Sequence, residues 1–173
     1  LKTILSEGNI PQIYVKKGIN DKETLRKISH HNPDLLVSIA GNEIFKKPLI
    51  DLAPMGCINL HTSLLPKYRG LMPTFWALKN NEPEIGVTVF LVDEGIDSGP
   101  IVVQKRVSVT KRVQSNLIAL TKKVGIQCII ESLDKLESAE FHLNENNDEK
   151  STYYGFPTRD DVTDFIQSGA RFF

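Results

Sequence analysis

The sequence predicts an α/β sandwich with a mainly parallel sheet and an antiparallel addition. Two observations predict this class. In the first half of the chain, segments of helical periodicity alternate with short apolar runs, which is the pattern of parallel strands joined by helices. In the second half, two strand-like segments at residues 86–92 and 101–109 follow each other across a glycine-rich turn, which favours an antiparallel pair.

The elements of the first half are placed by turn signals and apolar runs. In chain order we predict a strand at 12–15, a helix at 21–30, a strand at 35–40, a short helix at 45–52 and a strand at 56–61. Asn20 or Asp21 is the expected N-cap of the first helix. Because the run at 35–40 is almost wholly apolar, we expect that strand to be buried on both faces.

The second half adds two more helices and a short tail. Pro73 suits the first residue of a helix that runs to about residue 80, and residues 115–138 predict a long amphipathic helix. We expect residues 1–143 to form the main domain and residues 144–173 a short C-terminal extension. Within that extension, the polar stretch 144–150 is predicted to be mobile, and the segments after it to pack back on the domain.

Composition restricts the partners. The chain has 173 residues, with 21 basic and 21 acidic side chains. A net charge of zero argues against a protein whose main function is to bind the phosphate backbone of a nucleic acid. A small molecule, or one end of a large one, is the expected partner. Cys57 and Cys128 are not in a CxxC spacing, and no apolar run reaches the roughly 20 residues of a membrane span. We therefore expect a cytoplasmic protein without a metal site or a membrane partner, and leave a homo-oligomer open.

Asn59 and His61 are the strongest candidates for chemistry. One residue separates them on a predicted strand, so both side chains point to the same face. They also close the strand just before a loop, where ligands of open α/β sheets bind. Taken by spacing alone, a loop-capping or satisfied polar residue is the more common explanation of each. Asp97, in a glycine-flexed loop, is the natural third member, although by spacing alone an ordinary turn aspartate is again the more common explanation.

Other conspicuous residues have ordinary explanations. Lys67 and Arg69 could clamp a phosphate or carboxylate, and could equally be solvated loop charges. Phe75 and Trp76 occupy helical positions and are expected in the core rather than in a cofactor platform. The sequence has no GxGxxG, GxxxxGK[ST] or HExxH, so it offers no motif for a nucleotide loop or a zinc protease.

Two longer stretches of sequence indicate a protein family more specifically than any of their single residues does. Residues 56–70 read GCINLHTSLLPKYRG, and residues 86–90 (GVTVF) lead to DEGIDSGPI at 93–101. Together they resemble the folate-dependent formyltransferases, the family of methionyl-tRNA formyltransferase and glycinamide ribonucleotide formyltransferase. The resemblance is strong from about Ile10 to Val109 and looser beyond. It implies a Rossmann-like three-layer sandwich with Asn59, His61 and Asp97 as catalytic residues.

The resemblance also implies a mechanism and a cofactor site. An amine attacks the formyl carbon of 10-formyltetrahydrofolate, Asn59 and a protonated His61 stabilise the oxyanion, and Asp97 holds His61 and helps to relay the amine proton. No metal is needed. The folate is expected against six lining residues, namely Ile39, Ala40, Gly41, Ile44, Val92 and Asp93. Lys67 and Arg69 are the expected acceptor-binding residues.

The chain departs from the family pattern at both ends. The strand, glycine-bearing loop and helix with which members begin have no counterpart here, and residues 153–173 stand where methionyl-tRNA formyltransferases carry a large tRNA-binding domain. The acceptor therefore stays open between an aminoacyl-tRNA end and a small amine such as an amino-sugar nucleotide. Two alternatives are a catalytically silent folate-binding or interaction module, and a hydrolase that releases formate from the same cofactor.

Overall fold

Four strands form one mixed sheet in the computed structural model, which describes residues 2–138 and 141–173. The six described strands are β1 (Leu36–Ile39), β2 (Cys57–His61), β3 (Arg69–Gly70), β4 (Glu84–Leu91), β5 (Ile101–Ser108) and β6 (Tyr153–Tyr154). The main sheet has the order β1-β2-β4-β5, with β1 parallel to β2 and β4 antiparallel to both of its neighbours. A separate parallel pair joins β3 to β6. The predicted α/β class is confirmed.

The described part of the chain has six α-helices, and the longest packs against β4 and β5. The described α-helices are α1 (Lys2–Glu7), α2 (Lys22–Ser29), α3 (Lys47–Ile50), α4 (Pro73–Lys79), α5 (Gln114–Glu137) and α6 (Arg159–Gln167), with a 3-10 turn at Asp148–Lys150. The four predicted helices are confirmed with small differences at their ends. Asp21 caps α2 by accepting a hydrogen bond from the Glu23 amide, and Pro73 is the first residue of α4. The long helix α5 packs against β4 and β5.

Near the N-terminus, the strand predicted at 12–15 and the burial predicted for the strand at 35–40 are both wrong. Residues 12–15 form no strand, and the Tyr14 side chain is exposed. The strand at 35–40 exists as β1 but is not buried on both faces, since Val37 and Ile39 are 44% and 58% exposed. Val37 pairs with Ile58 and lies on the same face of the sheet as α5. That helix packs over β4 and β5, which lie two and three strands away from β1. The apolar run could not reveal that β1 lies at an edge of the described sheet, beyond the reach of that helix.

The C-terminal extension packs back on α4 through aromatic rings, as predicted. Phe165 of α6 is fully buried, and its ring centroid lies 4.7 Å from that of Phe75 and 4.7 Å from that of Phe172. Phe75 and Trp76 belong to this core, which confirms their expected place. The predicted mobility of residues 144–150 is wrong, because Asn144 exchanges two backbone hydrogen bonds with Ile101 and Asn146 is buried.

Replacing Phe165 with alanine is expected to lower the free energy of unfolding by about 3–5 kcal/mol, because the substitution removes a fully buried ring and leaves a cavity. Urea denaturation of the two proteins measures the difference. Phe173→Ala is the matched control, since that ring is 96% exposed and its loss should change stability by no more than about 0.5 kcal/mol. Equal stability of wild type and Phe165→Ala would show that the extension does not contribute to the core.

Candidate active site

Asn59, His61 and Asp97 line one cavity of about 660 Å³. The register explains why two of them meet there: Asn59 of β2 lies between Ser38 of β1 and Phe90 of β4, and His61 follows two residues later on the same face. The third comes from the loop after β4. Within the described part of the chain, the Asn59 amide forms no hydrogen bond with protein, so its donors are available to a ligand in the cavity.

His61 is held in one orientation. Its ring is buried, and Nε2 lies 2.8 Å from the Tyr68 carbonyl oxygen. A carbonyl oxygen can only accept, so Nε2 carries a proton and donates it. Nδ1 lies 3.6 Å from Asp97 Oδ2. That distance is long for a hydrogen bond but close for a charge, so a proton on Nδ1 would lie beside the carboxylate.

The Asp97 carboxylate is anchored by the backbone of β3. Oδ2 accepts a hydrogen bond of 2.8 Å from the Gly70 amide, and the side chain is 13% exposed. Gly70 has a φ of +90°, and a Cβ there would lie 2.3 Å from the Tyr154 carbonyl oxygen. Only glycine fits that position. The amide that orients the carboxylate therefore depends on the close β3–β6 pairing.

Three non-glycine residues of the cavity wall adopt left-handed backbone conformations. Ala40, Met72 and Asp97 have φ values of +56°, +54° and +49°. Each such residue costs of the order of 1 kcal/mol or more and persists where the surroundings enforce it. Their grouping around one cavity is the pattern of a functional site rather than of ordinary turns.

The loop after β2 is tied down over the sheet. The Thr88 hydroxyl donates to the Ser63 carbonyl at 2.6 Å, and the Ser63 hydroxyl donates to the Lys67 carbonyl at 2.8 Å. The Tyr68 hydroxyl donates to Glu82 at 2.8 Å, and burial raises the pKa of Tyr68 to about 12. This tyrosine stays neutral at ordinary pH, and its fixed position keeps its carbonyl against His61.

The six residues expected to contact folate all lie in the wall of the same cavity. They are Ile39, Ala40, Gly41, Ile44, Val92 and Asp93. Sequence reasoning did not find the opposite part of the wall, which includes Leu71, Met72, Ile118, Lys122 and Tyr153. Two of these come from α5 and one from β6. Leu71 and Met72 directly follow the motif at 56–70 but are ordinary apolar side chains. Ile118, Lys122 and Tyr153 come from elements that no local motif connects to the candidate residues.

Lys67 and Arg69 are not among the residues that line the cavity. Lys67 is exposed, whereas the Arg69 side chain is 10% exposed. Arg69 Nη1 lies 2.7 Å from Asp148 Oδ1, and Nη2 lies 3.0 Å from Asn146 Oδ1. The acceptor-binding role of both residues stays a prediction. The observed contacts direct the Arg69 guanidinium toward the C-terminal extension.

Asn146 is a further site residue that sequence reasoning missed. Its Nδ2 donates to the carbonyl oxygens of Asp97 and Gly99, both at 2.9 Å. The residue lies 49 positions after Asp97, in a stretch that reads as a polar tail. Only the fold brings that stretch into contact with the Asp97 loop.

The described residues hold neither a metal-binding cluster nor a membrane-spanning helix. In the ranges 2–138 and 141–173, no group of three or more His, Cys, Asp or Glu side chains is arranged to hold a metal ion. Within the same ranges, none of the helices has both the length and the apolar character that crossing a membrane requires.

The chain matches known proteins over most of its length. Residues 3–133 match the family model described as formyl transferase. The chain is 36% identical over 165 residues to the methionyl-tRNA formyltransferase of Kosmotoga olearia, covering 94% of this chain and 52% of the relative. The corresponding protein of Thermotoga neapolitana is 34% identical over 175 residues, covering 98% and 54%. The chain thus spans about half the length of these curated relatives.

Solved structures share the fold. A sugar N-formyltransferase from Shewanella sp FDAARGOS_354 superposes with a TM-score of 0.72 at 23% identity, covering 98% of this chain and 71% of that one. HypX from Aquifex aeolicus in complex with tetrahydrofolic acid superposes with a TM-score of 0.69 at 16% identity, covering 79% and 24%.

Proposed function

This chain belongs to the formyl transferase family, and on that premise we propose that it transfers the formyl group of 10-formyltetrahydrofolate to an amine. The observation that carries the proposal is the convergence of Asn59, His61 and Asp97 on one cavity. An amide without a hydrogen bond to any described residue, an imidazole of fixed orientation and an anchored carboxylate are the groups that acyl transfer to an amine requires.

The oxyanion is stabilised by Asn59 and His61. The amine nitrogen attacks the formyl carbon, and negative charge develops on the formyl oxygen. The Asn59 amide donates to that oxygen, and His61 donates through Nδ1, because its Nε2 proton is already bonded to the Tyr68 carbonyl. Preorganised donors of this kind contribute about 3–4 kcal/mol each to transition-state stabilisation.

Asp97 balances the protons. As the new C–N bond forms, the amine nitrogen gives up one proton, and as the old bond breaks, N10 of the leaving tetrahydrofolate takes one up. Asp97 carries this proton, directly or through a water molecule, and its charge stabilises the protonated His61 ring. Atoms balance without a further reactant: the amine becomes a formamide, and the folate leaves as tetrahydrofolate.

The cofactor is proposed to lie against the β1 side of the cavity. There the chain offers apolar side chains, Ile39 and Ile44, beside the backbone of Ala40 and Gly41. The Val92–Asp93 backbone faces them from the end of β4. Such a wall buries an aromatic ring system while peptide groups read its polar edge. The tetrahydrofolic acid in HypX, about a quarter of which shares this fold, supports a folate here.

Methionyl-tRNA is the acceptor that we propose first, since the relatives of 34–36% identity are methionyl-tRNA formyltransferases. An amino-sugar nucleotide is the second candidate. Its specific support is the Shewanella sugar N-formyltransferase, on which 98% of this chain superposes, including the C-terminal extension. Contact of Lys67 and Arg69 with either acceptor remains part of the proposal.

The decisive assay follows tetrahydrofolate release from 10-formyltetrahydrofolate in the presence of methionyl-tRNA, glycinamide ribonucleotide or amino-sugar nucleotides. We expect turnover with one acceptor. Release of formate without any amine would identify a hydrolase instead. Folate binding, measured by calorimetry, without turnover on any acceptor would contradict the proposal and favour the silent module.

A further inference from the structure

We propose that Asn146 is a positioning residue that holds the Asp97 loop in its working shape, and that Arg69 fixes Asn146 in turn. Asn146 bridges two carbonyls of the loop, those of Asp97 and Gly99, at 2.9 Å each. It lies outside the segment that matches the family model, which ends at residue 133. The inference rests on the proposed function only for its effect on turnover.

The bridge acts where the loop backbone is least favourable. Asp97 has a φ of +49°, a conformation that a non-glycine residue keeps only when its surroundings enforce it. In this conformation its carbonyl faces Asn146 while its carboxylate faces the Gly70 amide and His61. Holding the carbonyl therefore also sets the direction of the carboxylate.

The side-chain amide of Asn146 is buried and bonds to both loop carbonyls. The residue is 7% exposed, and both amide protons are used on the two carbonyls. Removing the amide leaves the Asp97 and Gly99 carbonyls without their donor, which favours a turn of the loop outward toward water. The loop would then relax toward ordinary backbone angles, and the carboxylate would leave His61.

Arg69 determines which way the Asn146 amide points. Its Nη2 donates to Asn146 Oδ1 at 3.0 Å and to the Asn146 carbonyl at 3.1 Å. Because the oxygen of the amide is taken by a cation, the NH₂ group must face the loop. Arg69 belongs to β3, next to Gly70. The carboxylate of Asp97, held by Gly70, and its carbonyl, held through Asn146 and Arg69, are therefore both positioned by β3.

The test compares two variants of the full chain, Asn146→Ala and Asn146→Asp. The aspartate has the same shape and keeps an oxygen for Arg69, but it presents lone pairs to both loop carbonyls. Displacement of a catalytic group by about 1 Å can cost on the order of 100-fold in rate, so we expect kcat to fall roughly 10- to 100-fold in both variants. The KM for 10-formyltetrahydrofolate should change by less than about threefold, because uniform substrate binding is not removed.

A second readout does not depend on turnover. The Gly70 amide proton bonds to the Asp97 carboxylate, and its NMR shift and exchange rate report whether that contact exists. We expect the shift to move upfield and exchange to accelerate about tenfold or more in both Asn146 variants. Asn147→Ala is the control: that residue caps the neighbouring 3-10 turn and should leave the Gly70 signal and kcat unchanged.

An unchanged Gly70 signal in Asn146→Ala and Asn146→Asp would overturn the inference. So would an equal change in Asn147→Ala, which would mean that the whole segment matters rather than the bridge. If the wild-type chain turns over no acceptor while the Gly70 signal still depends on Asn146, the positioning role holds and the proposed function fails. The two proposals are therefore tested separately.

Discussion

Replacing Asp97 with asparagine is expected to lower kcat by 10²- to 10⁴-fold, the range typical of a lost acid–base group. The substitution keeps an oxygen for the Gly70 amide and the size of the side chain, so the loop is retained. It removes the charge that lies 3.6 Å from His61 Nδ1, and with it the group that we propose accepts the amine proton. Both losses act in the transition state rather than on cofactor binding.

Steady-state kinetics with saturating acceptor measure the effect, and titration of folate binding shows whether affinity is retained. Asp134→Asn is the matched control, since that carboxylate is exposed on α5 and outside the cavity. A loss confined to KM, with kcat intact, would assign Asp97 to ligand binding and refute its catalytic role.

Replacing Asn59 with alanine is expected to lower kcat by about 10²- to 10³-fold, the cost of one oxyanion donor. The amide lines the cavity in the central strand and, among the described residues, is unengaged by protein. Its removal should therefore change the fold little. The missing hydrogen bond is one that the formyl oxygen accepts only weakly before attack and strongly once it carries charge.

The test measures kcat, KM and the urea midpoint of Asn59→Ala beside Asn116→Ala, which removes an exposed amide from α5. We expect the two variants to have similar stability and to differ in kcat. If Asn59→Ala keeps wild-type kcat, the oxyanion is stabilised elsewhere, and His61 or a backbone amide becomes the principal donor.

Much of the candidate site could be predicted from sequence because its geometry is local. Asn59 and His61 lie on one strand, and the period of two places them on one face wherever that strand lies in the sheet. The turn residues around Asp97 likewise predict a loop at the end of β4. The resemblance of residues 56–70 and 93–101 to a known family then connected the two segments, and the family itself is confirmed.

Burial of β1 and order in the C-terminal extension could not be predicted in the same way. An apolar run such as residues 35–40 shows that the side chains favour burial, not whether a helix lies over them. Val37 and Ile39 are exposed because α5 packs over β4 and β5, whereas β1 lies at the edge of the described sheet beyond that helix. The polar stretch 144–150 reads as mobile, yet Asn144 and Asn146 find partners in β5 and the Asp97 loop.

The fold class and the pairing of Asn59 with His61 follow from the periodicity and turn chemistry of the sequence alone. The six residues expected to contact folate come from the family resemblance, and all of them line the cavity. The bond between Arg69 and Asn146, and the bond from Asn146 to the Asp97 carbonyl, are set by the tertiary structure. Those contacts join residues 77 and 49 positions apart. Their formation depends on how the extension packs back against β3, a long-range packing outcome that no local pattern records.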